Sequence, residues 1–94
     1  MEFPRRGEIY FIDFPATGAG EMAGPHPALV VQNDVGNRAS QLTIVAAITS
    51  NLRVARLPVG VRIAPGESDS LSEARLRQVD QAIQVSLGLK PFAL

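Results

Sequence analysis

The hydrophobic period of this chain changes once, near residue 70, and that change limits the folds open to it. Before it, apolar residues come in strand-length runs broken by glycine, proline and asparagine. After it, they recur every three or four residues. Four runs read as strands: Glu8 to Phe14, Pro27 to Gln32, Gln41 to Thr49, and Pro58 to Ile63. The second is apolar enough to be central. In the fourth, Val59, Val61 and Ile63 share one face and Arg62 takes the other. Leu71 to Gly88 predicts one amphipathic helix, with Leu76, Val79, Ile83 and Leu87 as its buried stripe. Ser70 or Ser72 caps its start, and Ser70 with Glu73 fits a capping box. Gly88 and Pro91 end it.

The connections are of two kinds. Pro15 to Pro27, with Gly18, Gly20 and Gly24, reads as a long loop, and a loop of that length in a small domain is usually functional or mobile. Asn33-Asp34-Val35-Gly36-Asn37-Arg38 reads as a turn, since Asn and Gly tolerate positive φ. The expected architecture is mainly β with α, in one domain over residues 1–94. A chain this short often gains stability by dimerising.

Net charge is zero, which argues against a non-specific polyanion binder. The distribution is less even: Arg38, Arg53, Arg56 and Arg62 fall where residues 35–63 contain no acid. That segment suits a nucleic acid, or is a set of solvated arginines. With one histidine and no cysteine, no metal site of ordinary ligand spacing can be built, and no cofactor is expected. No run reaches membrane-spanning length and the N-terminus is too polar for a signal peptide, so a cytoplasmic protein without membrane partners is expected.

By exclusion, chemistry falls to His26, the arginines, hydroxyls and carboxylates. Histidine is the side chain whose ordinary pKa, ~6.5, suits proton transfer near neutrality. Pro25 and Pro27 fix the backbone on either side of His26. The same arrangement can simply end a loop. Thr49 and Ser50 close the third run, where hydroxyls either bind a phosphate or start a turn.

Three stretches together are more specific: Arg6-Gly7-Glu8-Ile9-Tyr10-Phe11-Ile12-Asp13-Phe14, then Gly20-Glu21-Met22-Ala23-Gly24-Pro25-His26-Pro27-Ala28-Leu29-Val30-Val31, then Val45-Ala46-Ala47-Ile48-Thr49-Ser50. Jointly they resemble the MazF/PemK family of toxin endoribonucleases. The similarity runs nearly continuously from residue 5 to 63 and resumes over Leu71 to Leu89. It implies a small, curled SH3-like barrel with a C-terminal amphipathic helix, usually a homodimer. It implies metal-independent cleavage of single-stranded RNA at a short sequence, leaving 2′,3′-cyclic phosphate and 5′-hydroxyl ends. It also implies an antitoxin partner, MazE-like, whose extended tail blocks the RNA groove.

Carried across by position, Thr49 matches the family's catalytic threonine. The family's catalytic arginine falls where this chain has His26, so catalysis would rest on His26 and Thr49. Ser50, Asn37, Arg38, Arg53, Arg56 and Glu21 would line the RNA groove. The histidine leaves a second reading open: a barrel that binds RNA or antitoxin but cleaves weakly or not at all. A further departure is the link between Ile63 and Leu71, where the family carries another strand and its connections, ~20 residues on ordinary element lengths. This chain has seven. Either a disordered segment lies outside this sequence, or the deletion is genuine and leaves a strand edge unpaired.

Overall fold

The computed structural model describes residues 3–15, 23–50, 60–63 and 70–89. They fall in two units, Met1–Thr49 and Ser50–Leu94. The first unit holds strands β1 (Ile9–Phe14), β2 (Gly24–Val30) and β3 (Val45–Ala47), with a short helix α1 (Asp34–Ala39) between β2 and β3. The strands form one antiparallel sheet in the order β1-β2-β3. The second unit holds helix α2 (Glu73–Ser86).

Entry into the sheet is set by Arg5-Arg6-Gly7-Glu8. The Glu8 amide donates to the Arg5 carbonyl at 3.1 Å, closing a β-turn whose third residue, Gly7, has φ 94°. That is the position a type II turn reserves for glycine. Gly7 and Glu8 then share Val30 as partner: the Gly7 amide donates to the Val30 carbonyl and the Val30 amide to the Glu8 carbonyl, both at 2.9 Å. This is a β-bulge led by a left-handed glycine. Gly7 is buried and any side chain there forces the left-handed strain. Gly7→Ala should therefore lower stability by about 1–2 kcal/mol. Urea titration checks it, with a lower midpoint and an unchanged slope expected.

β2 begins at Gly24, three residues before the predicted strand, and takes in both prolines. The ladder explains how a central strand tolerates them. Val30 bonds toward β1, whereas the Val31 amide donates to the Ile44 carbonyl at 2.9 Å, on the β3 side. Alternation then turns the backbone polar groups of even residues toward β1 and of odd residues toward β3. Pro25 and Pro27 are odd, so β1 loses no hydrogen bond to either. On the other side Pro27 only accepts, from the Ile48 amide at 2.8 Å. Ala28, Leu29 and Val30 are consecutive and buried, so β2 is covered on both faces and forms the core of the sheet.

Residues 34–39 are helical where the sequence predicts a turn. Asn33 caps the helix, accepting from the Gly36 amide at 2.8 Å. Asn37 is the interior anchor, at 2% exposure. Its Oδ1 accepts from Gln32 Nε2 (3.0 Å) and Thr43 Oγ1 (2.6 Å), and its Nδ2 donates to the Gln32 carbonyl (3.0 Å) and Asp34 Oδ1 (3.4 Å). One amide thus ties the end of β2 to α1 and to the approach of β3. The third strand is Val45–Ala47 rather than Gln41 to Thr49, and just before it the Val31 and Gln32 amides both converge on the Ile44 carbonyl, at 2.9 and 3.4 Å.

Asp34 links α1 to the entry turn. Its Oδ1 accepts from the Arg6 amide at 2.8 Å, and this bond, aided by Asn37, Arg5 and Arg38, holds its carboxyl below the usual carboxylate value of 3.8. A carboxylate with a lowered folded pKa stabilises the fold above its unfolded pKa and loses that contribution as pH falls through the folded value. The stability gap between the native protein and Asp34→Asn should therefore narrow as pH drops below about 4, read as converging melting temperatures.

In α2, Ser72 rather than Ser70 is the cap, its hydroxyl accepting from the Arg75 amide at 3.2 Å. The far end closes by a Schellman pair, Leu89 amide to Gln84 carbonyl at 2.8 Å and Gly88 amide to Val85 carbonyl at 3.1 Å. Val79 and Ala82 are its buried residues, Leu76 and Ile83 are half-buried, and Leu87 is exposed. The buried stripe is thus shifted from the predicted one toward a small residue. Gly60–Ile63 forms no regular element, and Pro58 and Val59 of the predicted fourth strand lie outside the described residues. Among the described residues no helix is long and apolar enough to cross a membrane.

Candidate active site

The register of β2 and β3 runs toward His26 and Thr49. Ala28 pairs with Ala47, Leu29 with Ala46 and Val30 with Val45. The Ile48-to-Pro27 bond carries the same register beyond the assigned end of β3. Counting one step further, past the last paired residues, brings the count to His26 and Thr49. The bonded positions on this ladder are Pro27 and Val31, so His26 and Thr49 fall at a non-hydrogen-bonded position. Facing side chains there lie on one face with Cβ atoms ~4.5–5.5 Å apart.

On its other side His26 pairs with Ile12, and Phe14 pairs with Gly24. The rings of Phe14 and His26 lie 6.5 Å apart between centroids, tilted by 48°. The imidazole is half-buried and Thr49 is exposed. His26 Nε2 lies 2.9 Å from the Ala23 carbonyl oxygen. The arrangement is an imidazole held against the Ala23 carbonyl, with Phe14 and Ile12 as an apolar wall beside it. Such a ring can present a proton donor or acceptor.

The other predicted site residues are dispersed. Ser50 is exposed, at the start of the second unit. Asn37 faces inward, with its amide fully engaged as described above. Arg38 is exposed and sits against Phe3, its guanidinium carbon 5.6 Å from the ring centroid, with Arg5 at 5.8 Å from the same ring. This cluster lies beside the Arg6–Asp34 contact, at the end of β2 away from His26. Arg53, Arg56 and Glu21 lie outside the described residues. Sequence reasoning overlooked Ala23 and Gly24, whose contribution is backbone geometry, and Phe14, whose proximity to His26 follows only from the register. Gly24 immediately before Pro25-His26-Pro27 is the one signal that could have drawn attention to that backbone.

A family model described as "PemK-like, MazF-like toxin of type II toxin-antitoxin system" matches residues 5–87. The chain belongs to this family. It is 35% identical to "Endoribonuclease EndoA" of Bacillus subtilis (strain 168) over 113 residues, covering 94% of this chain and 97% of the relative. It is 33% identical to "Endoribonuclease MazF" of Staphylococcus epidermidis over the same length, covering 94% of each. Both alignments are longer than the 94 residues of the chain. The PemK-like, MazF-like relatives therefore carry stretches inside the matched region that this member lacks. That agrees in sense with the short link between Ile63 and Leu71, whose residues 64–69 lie outside the described ones.

Proposed function

We propose that this chain is the toxin of a type II toxin–antitoxin pair, an endoribonuclease cutting single-stranded RNA at a short sequence without a metal. The observation that carries the reading is the register that faces His26 toward Thr49 in a chain of this family. Thr49 holds the scissile phosphate through its hydroxyl. His26 serves as the acid–base group in place of the family's arginine. The 2′-oxygen attacks the adjacent phosphorus, and the products are a 2′,3′-cyclic phosphate and a 5′-hydroxyl.

Family membership supports the wider setting: an SH3-like barrel, a homodimer in the cytoplasm, and an antitoxin tail lying in the RNA groove. In this reading Arg38, with Arg5 beside it on Phe3, holds RNA phosphates away from the cleavage point, and Ser50, Arg53, Arg56 and Glu21 complete the RNA-contacting set. Asn37 is a positioning residue for α1 and β3.

The test is incubation with a long single-stranded RNA in the presence of a chelator. Discrete fragments with cyclic-phosphate ends are expected. RNA that is retarded in a gel but stays intact would replace this reading with the binding-only barrel, which the missing arginine favours.

A further inference from the structure

We infer that the Ala23 carbonyl locks His26 in the Nε2–H tautomer, making Nδ1 the atom that takes the proton in cleavage; this rests on the proposed catalytic role of His26. A carbonyl oxygen can only accept a hydrogen bond. At 2.9 Å from it, Nε2 must carry the hydrogen. In the neutral ring the lone pair then lies on Nδ1. Among the described residues Nδ1 has no hydrogen-bond partner, so the basic nitrogen is left for substrate.

The lock is built from backbone. Gly24 has φ 84°, a conformation that other residues adopt only with strain. That rotation sets the direction of the preceding carbonyl, that of Ala23, relative to the strand that carries His26. A Cβ built on Gly24 meets nothing within 4 Å, so the glycine is required there for its φ and not for space. Pro25 and Pro27 hold the strand on either side of the ring. A side-chain partner for Nε2 would rotate with its own torsions, whereas a carbonyl at the start of a paired strand does not.

The step balances as follows. Nδ1 accepts the proton of the 2′-hydroxyl as that oxygen bonds to phosphorus. The bond from phosphorus to the 5′-oxygen breaks, and the leaving oxygen takes a proton from solvent. The imidazolium returns its proton to solvent. No water is consumed, and the neutral Nε2–H tautomer is restored.

His26 is the only histidine of the chain, so its ring nitrogens can be read without assignment ambiguity. The experiment is a long-range proton–nitrogen correlation spectrum of uniformly labelled protein, at a pH high enough for a neutral imidazole. The expected pattern is a protonated Nε2 and a lone-pair Nδ1. A protonated Nδ1, or two averaged nitrogens, overturns the inference even if His26→Ala abolishes cleavage. In Gly24→Ala the two nitrogens should move toward averaging; an unchanged pattern overturns the Ala23 carbonyl as the holder. His26→Gln can still donate to that carbonyl but has no basic nitrogen. It should melt with the native protein and cleave RNA at least 100-fold more slowly. Native-rate cleavage by His26→Gln, with the tautomer as expected, would remove the catalytic role and leave only the lock.

Discussion

His26→Ala should lower kcat/KM for RNA cleavage by about 10²–10⁴-fold, the usual contribution of a positioned acid–base group. A fluorogenic RNA containing the cleaved sequence is the substrate for the measurement. The loss should fall mainly on kcat, because the imidazole acts on a proton in flight and adds little to ground-state binding. His26→Arg is the informative companion, since it restores the residue type that the family resemblance places here. A guanidinium stays charged at all working pH values and can neutralise the phosphate bidentately, but it cannot be a base. The two proteins should then differ in pH dependence. Identical profiles would show that His26 supplies charge and not proton transfer. Thr49→Val should also slow cleavage, but leave the shape of the native profile unchanged.

The proposed juxtaposition of His26 with Thr49 is only half legible in the sequence. The family pattern singled out both residues, and simple alternation placed strands near each. The other half is register, which ends in Pro27 accepting from Ile48, one step short of the proposed pair. That register does not show in composition or period. The prolines misled the strand boundary: they read as the end of a loop, yet β2 begins before them because their missing N–H groups face away from β1. Helix α1 was missed for a different reason. Six residues, with one Gly and one Asn among them, fall below the length at which a 3.6-residue period can be seen, and the helix is held by a tertiary contact of Asn37. Helix α2, at 14 residues with a clear cap and stop, was legible almost to its ends. Its buried face was read less well, because Ala82 carries too little side chain to register as a core position.

Asn37→Ala should be the most damaging single change to stability outside the sheet, at about 2–4 kcal/mol. The buried amide makes four hydrogen bonds, and truncation strands the Thr43 hydroxyl and the Gln32 carbonyl and leaves the Gln32 amide with the Leu42 carbonyl alone. Each stranded group that stays buried costs about 1–3 kcal/mol, and partial access to water for the half-exposed partners reduces the total. For a domain of this size the melting temperature should fall by about 8–32 °C, at roughly 4–8 °C per kcal/mol. Circular dichroism during heating reads it. The same variant separates two roles for the residue. A residue that contacted RNA directly would, when truncated, weaken RNA binding and leave the melting temperature in place. A residue that ties β2, α1 and β3 together should do the reverse at low temperature: well below the midpoint, folded Asn37→Ala keeps the pH profile of cleavage, and its activity disappears on heating together with its secondary structure. Loss of cleavage at temperatures where the variant remains folded would return Asn37 to the RNA groove, despite its inward-facing amide.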